Sequence, residues 1–183
     1  MHTNLKTIIK FRPCSKGITK LMNNLGHKCT VRNWEDVYNS LSKEQQTKDI
    51  DFKFILKSNS IKDMYWGLCT QPKKIRMLIS ADVLESVLHI YEKKHPNDMR
   101  VRNCIQGIRD FCNGKITQAE LNILKYDARA DVGATAAADA AVDVVADAAA
   151  ADVAIATAFY GITGHTAHKE QWKMNKEILL KYI

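Results

Sequence analysis

Asp139, Asp143 and Asp147 stand four residues apart in a stretch of alanine and valine. That spacing aligns them along one helix face with a drift of about 40° per step. Carboxylates in a row could hold a divalent cation or meet a basic partner. No His or Glu joins them, so the set reads first as a solvated face or a set of salt bridges to basic helices, then as a partner surface, and last as a metal site. His165 and His168, three apart in GHTAH, would place two imidazoles on one side of a helix. Two ligands fall short of a zinc set, and polar residues around a helix start near Thr163 are the plainer reading. Asp98, Arg100 and Arg102 follow Pro96. A carboxylate at a helix N-terminus and guanidiniums within reach of acidic neighbours read first as capping and a salt-bridge network, and second as anion or partner binding. Cys104 and Cys112, eight positions apart, return to nearly the same helix face and are expected to be small core residues.

No GxSxG, P-loop, HExxH or glycine-rich dinucleotide fingerprint occurs in the sequence, and no nucleophile–base pair follows from spacing. A non-enzymatic protein is expected, with no catalytic, cofactor or metal residues. If it acts by binding, the expected anchors are Trp34, Trp66 and Trp172 with Arg100 and Arg102, because interfaces draw most of their energy from a few Trp, Tyr and Arg residues. Burial of the tryptophans in the core is the competing account.

The 183 residues carry 27 Lys and Arg against 20 Asp and Glu, a net charge of +7. The charge is split. Residues 127–160 hold six Asp and only Arg129, a balance of −5 against +12 for the rest. Dispersed basic residues in 1–126, with Tyr65 and Trp66 available for stacking, leave a nucleic-acid surface as the alternative to a protein partner, although no recognised nucleic-acid motif is present. Five cysteines form an odd set without a CxxC pair, which fits reduced thiols in a cytoplasm. The opening MHTNLKTIIKFRPC is broken by Lys10 and Arg12 and does not read as a signal peptide. Aspartates within 132–162 argue against a membrane span there, at roughly 2.5–3.5 kcal/mol each in mid-bilayer.

These side chains must be held by helices. The expected fold is all-α, one compact multi-helix bundle over 1–183: a less regular basic part at 1–57, a helical core at 58–183, and an alanine-rich close-packed layer at 128–160. Short helices are expected at Leu5–Phe11 and Ile18–Leu25, then one after Asn33 through Trp34, Val37, Tyr38 and Leu41. Ile50, Phe54 and Ile55 continue that period after the polar stretch KEQQTKD. Phe52, Phe54 and Leu56 alternate as a strand would, but an isolated strand would leave its edges unpaired. Ser60 and Asp63 form an acidic N-cap arrangement for a short helix ending near Pro72. Ile75 to Tyr91 repeat at three and four residues over five turns, the strongest amphipathic pattern, until Pro96. Asn97 or Asp98 caps the next helix, whose face is Val101, Cys104, Ile105, Ile108 and Phe111, closed by Asn113-Gly114. Thr117-Gln-Ala-Glu120 has the form of a capping box. A single helix from Gln118 to Tyr160 would run about 65 Å, too long for a domain of this size, so it must break, with Gly133, Gly161 and Gly164 as candidate points. Ala137, Ala141 and Ala148 are expected at close helix contacts. A last helix is expected around Trp172, Ile178, Leu179 and Tyr182.

With the second half laid out, NSIKDMYWGL at 59–68, HPNDMRVRNCIQGIRDFCNGKITQAEL at 95–121 and DARADVGATAAADAAVDVVADAAA resemble the alanine-rich helical family of phage and bacterial immunity proteins. The resemblance covers residues 58–160. Its most specific part is the order Pro96, Asp98, Arg100, Arg102, Gly114, Glu120 and the alanine layer. It implies neutralisation of a toxin by direct binding, or, for a phage member, blockage of a host enzyme or defence protein. In that family Trp and Arg are frequent among the alanines, whereas Val and Asp fill those places here.

Overall fold

Short helices are marginal in water unless their free amides are satisfied, and the first third of the chain supplies caps at most of its helix starts. The computed structural model describes residues 1–59, 63–64, 67–129 and 173–183. Helix α1 (Leu5–Lys10) opens with Asn4, whose Oδ1 accepts from the Thr7 amide at 2.9 Å. Helix α2 (Ser15–Asn24) opens with the Cys14 thiol accepting from the Gly17 amide. Helix α3 (Trp34–Ser40) has no side-chain cap but carries Glu35 and Asp36 in its first turn, where carboxylates favour the helix dipole. Helix α4 (Lys43–Thr47) is closed by a capping box between Ser42 and Gln45, and Asp51 caps α5 (Phe52–Ser58) at 2.7 Å.

Two departures from the sequence expectation follow. The polar stretch 43–47 is a helix of its own, and its S-x-x-Q signature was the available sign. Ile50 lies in a strand rather than in the helical period. Strands β1 (His2–Thr3) and β2 (Ile50–Asp51) pair antiparallel, with Thr3 opposite Ile50. Phe52 to Leu56 are helical, as expected.

The chain contacts divide into two compact units, Met1–Gln71, which also takes in Ile183, and Pro72–Tyr182. The core of the first is Leu5, Ile8, Ile18, Leu21, Met22 and Phe52, with Ile55 and Met64 also buried. A single 3₁₀ turn, Leu68–Thr70, ends this unit.

The second unit is built on α6 (Lys73–Lys94), α7 (Arg100–Cys112) and α8 (Gln118–Arg129), with a last described helix at 173–180. Met77, Ala81 and Leu88 of α6 meet Ile105, Ile108 and Cys112 of α7 and Leu121 of α8 in one cluster. Cys104 packs with Ala128, so both cysteines are core residues, as their spacing suggested. Helix α6 is not amphipathic in the one-sided sense expected. Ile79 and Val83 are also buried, and at 100° per residue they lie on the side opposite Met77, Ala81 and Leu88. The three-and-four repeat contains two stripes rather than one.

The turn to α8 follows expectation. Gly114 has φ +71°, the left-handed cap glycine accepts without strain. The Thr117 amide donates to Glu120 at 2.7 Å while the Glu120 amide donates to the Thr117 hydroxyl at 3.3 Å. Helices α7 and α8 approach at Gly107, where an added Cβ would stand 2.3 Å from Leu124 Cδ1. That atom is the tip of a rotatable side chain. Gly107→Ala is therefore expected to be near neutral, a helix-propensity gain of about 1 kcal/mol offsetting the displaced leucine. Gly107→Leu is expected to cost about 1–3 kcal/mol by overpacking. Thermal melting of the two variants checks this.

The alanine-rich layer, with Ala137, Ala141 and Ala148, the aspartate row, the helix breakpoints, His165, His168, Trp172 and the Ser60 cap lie outside the described residues, apart from Ala128 and Arg129 at the layer's first edge. No helix among the described residues is long and apolar enough to cross a membrane.

Candidate partner-binding site

The segment joining α6 to α7 brings together the residues that the sequence singled out. Pro96 cannot donate a backbone hydrogen bond, and α6 closes just before it, with the His95 amide donating to the Tyr91 carbonyl at 3.0 Å. The chain then turns through Asp98, whose amide donates to the His95 carbonyl at 3.1 Å. Sequence reasoning placed the cap of α7 at Asn97 or Asp98. The cap residue is Met99, and Asp98 reaches over it to accept from the Arg100 amide at 3.0 Å.

Asp98 does more than cap. Arg100 grips it with Nε on Oδ1 at 2.9 Å and Nη2 on Oδ2 at 2.7 Å, while the Tyr91 hydroxyl donates to Oδ2 at 2.6 Å. The Arg100 bonds, then the Tyr91 bond, hold the Asp98 carboxyl well below the usual carboxylate range. Burial and the bond to Asp98 push the Tyr91 phenol up to about 12. The Tyr91 ring also lies 4.8 Å from that of His95, centroid to centroid. The segment is thus braced from both ends.

These shifts fix a pH dependence. Asp98 has a lowered folded-state value, so its stabilisation is present above its ordinary 3.8 and is lost as pH falls below that. Tyr91 has a raised one, so its share is complete below its ordinary 10.0 and is lost between there and about 12. Melting temperature against pH is expected to fall on both flanks. Tyr91→Phe should flatten part of the alkaline fall and Asp98→Asn part of the acid one.

The other candidate arginine is also engaged. Arg102 forms a two-bond pair with Glu92 at 2.7 and 2.8 Å, and this holds Glu92 low and Arg102 high. Two turns along α7, Arg109 bridges Glu85 and Asp82 of α6, each at 2.7 Å, and Tyr182 donates to the other oxygen of Asp82 at 2.8 Å. Sequence reasoning missed Arg109, Asp82, Glu85, Glu92 and Tyr182. Their partners lie 10 to 100 residues away along the chain, and no local pattern encodes such pairs.

The surface left open at this segment is mixed: His95, Asn97 and Asn103 are exposed beside Pro96 and Met99. Met99 is 48% exposed, at the rim of an open depression of about 540 Å³ formed by His95 to Arg100 and Asn103. A second depression, about 410 Å³, lies between α6 and the last helix; its lining includes Asp82, Glu85 and Glu177 together with Lys181 and Met174. Among the other sequence candidates, Trp34 is half-buried in the first unit, while Trp66 and Trp172 lie outside the described residues. Trp34 belongs to the first unit, and Arg100 and Arg102 belong to the second. No group of three His, Cys, Asp or Glu side chains placed to hold a metal ion occurs among the described residues.

The second unit is thus helical, with the arginines of α7 paired to carboxylates of the same unit and Met99 exposed at the turn before it. The family model described as Imm-5 like putative immunity protein matches residues 68–181, and the chain belongs to that family. No curated protein and no solved structure matches the chain. The match begins close to the boundary between the two units. Asp98, Arg100, Arg102, Gly114 and Glu120, the residues that carried the resemblance, all have roles inside the fold: a cap, two ion pairs, a left-handed turn and a capping box.

Proposed function

We propose that this protein is a non-enzymatic inhibitor of the immunity type, which binds one cytosolic protein, whether a toxin, a host enzyme or a defence protein, and neutralises it by occupying its surface. The family match over residues 68–181 carries this reading. The geometry adds a contact point. Met99 stands exposed on a turn that the Asp98 bonds hold in place, so the backbone that presents it needs little further ordering on binding. Methionine and arginine are both enriched at interfaces. Arg100 and Arg102 follow Met99 in the first turn of α7 and are proposed to contribute their outer faces, with Trp34, Trp66 and Trp172 as the other proposed anchors.

The test is in two steps. A partner captured with the tagged chain and identified by mass spectrometry is purified, and its activity is titrated with the protein. Stoichiometric inhibition is expected. Met99→Asp should weaken it at least tenfold with an unchanged melting temperature, because the side chain is exposed. A partner that stays fully active at several-fold excess of the protein would reject the reading. Inhibition untouched by Met99→Asp would move the contact away from this turn.

A further inference from the structure

The two units treat their charges in opposite ways. In the second unit the arginines of α7 are consumed by carboxylates of the same unit, and the ion pairs among the described residues all fall between Asp82 and Lys115. Residues 1–71 hold ten Lys and two Arg against six Asp and Glu. Every described Lys and Arg of this unit is exposed, and none enters an ion pair among the described residues. Most of its acids serve helix starts: Glu35 and Asp36 stand in the first turn of α3, Glu44 in that of α4, and Asp51 caps α5. The carboxylates are thus placed where helix dipoles hold them, and the cations are left facing water.

The cations also have an order. Lys16 and Lys20 lie four apart on α2, and Lys53 and Lys57 four apart on α5, so each pair shares a face with a rise of about 6 Å. Lys20 Nζ reaches the carbonyl of Asn59 at 3.4 Å, and the Asn24 amide reaches that of Ser58 at 3.3 Å. The α2 row therefore ends where α5 ends, one to two residues from Lys57. We infer that this face of the N-terminal unit binds the phosphate backbone of nucleic acid without reading sequence, an activity that stands apart from the immunity-type reading and lies outside the family match.

The residue types favour nucleic acid over an acidic protein. Protein interfaces are depleted in Lys and have an apolar centre, whereas the unit's cations are mostly lysine and its exposed large apolar side chains, among the described residues, are only Phe11 and Val31. Phosphate takes a lysine as a point charge with little demand on geometry.

Fluorescence anisotropy of the full chain with short labelled duplex DNA, single-stranded DNA and RNA, titrated from about 50 to about 200 mM salt, tests this. Binding of one or more is expected, with log K falling linearly in log salt. The variant carrying Lys16→Gln, Lys53→Gln and Lys57→Gln should lose at least tenfold in affinity at low salt. On duplex DNA its salt slope should drop by about 2–3, since each phosphate contact contributes about 0.9. Lys73→Gln with Lys74→Gln, two exposed lysines of the second unit, should change neither. Unchanged melting of both variants verifies their folds. Absence of binding, binding indifferent to salt, or equal losses from both variants overturns the inference. Competition by poly-glutamate as effective, charge for charge, as by DNA also overturns it, and points to an acidic protein surface instead.

Discussion

Phe52→Ala is expected to destabilise the N-terminal unit by about 3–5 kcal/mol, the usual cost of emptying a fully enclosed aromatic site. Phe52 is 0% exposed and begins α5 directly after the β2 strand, with its amide donating to the Met1 carbonyl at 3.1 Å. The side chain thus sits where the N-terminal strand pair and α5 converge. Gly67 lies against it, with an added Cβ there falling 3.6 Å from the ring, so no bulky neighbour stands ready at that point to fill the space. A unit of about 70 residues has little stability in reserve, and a loss of this size approaches all of it. Hydrogen exchange resolved along the chain is the measurement. Amides of α2 and α5 should lose most of their protection, and unaltered protection there would show that the site collapses around the missing ring. Ile108→Ala, at a 0% exposed site in the α6–α7–α8 cluster, is the matched variant for the other unit, expected to cost about 2–5 kcal/mol. Under the one-domain organisation expected from the sequence, both variants lower a single melting transition. Two transitions, each moved by one variant, would replace it with two domains.

Much of this fold was legible in the sequence because its signals are local. The Thr117 and Glu120 box, the Asn113-Gly114 stop and the α7 face from Val101 to Phe111 involve residues within a turn or two of each other, and the structure forms all three. The α4 box was equally local and was passed over because the segment has no apolar period. Hydrophobic periodicity detects a helix only when one face is buried, and α4 buries none of its residues. The second stripe of α6 was hidden for the opposite reason: apolar residues on two faces blur into one repeat of threes and fours. The candidate site was legible in part. Asp98, Arg100 and Arg102 were singled out with a structural explanation in first place, and the bonds of Asp98 and the Glu92 pair fit that explanation. Met99 was missed because exposure on a turn leaves no trace in periodicity.

Arg109→Ala is expected to be the most damaging of the charge substitutions, at about 1–3 kcal/mol, whereas Arg102→Ala should leave melting close to that of the parent. Both arginines make two-bond pairs with carboxylates of α6, so a count of ion pairs would rank them alike. Their surroundings differ. The Arg102 side chain is 46% exposed against 22% for Arg109, and water screens an open pair until it contributes little. Arg109 also serves two acids at once. Asp82 and Glu85 lie three apart on the same helix, and without the guanidinium they become neighbouring like charges, which repel. Breaking a fully buried pair costs about 3–5 kcal/mol; the partial exposure of this one places it lower. The bonds to Glu85 and then to Asp82 hold the guanidinium charged well beyond its ordinary range, so no accessible pH relieves the network from that side. Tyr182 adds a fourth member through its bond to Asp82, and burial together with that bond raises its phenol above the ordinary value. Arg109→Ala and Tyr182→Phe share Asp82 and should therefore be non-additive. A double-mutant cycle by thermal melting measures the coupling. Arg109→Met separates packing from charge: if the long apolar stem restores stability, the guanidinium serves the fold mainly as a spacer and the ion-pair account is wrong. If Arg109→Met stays as unstable as Arg109→Ala, while joint replacement of Asp82 and Glu85 by Asn and Gln in the Met background recovers stability, the orphaned carboxylates are the cause.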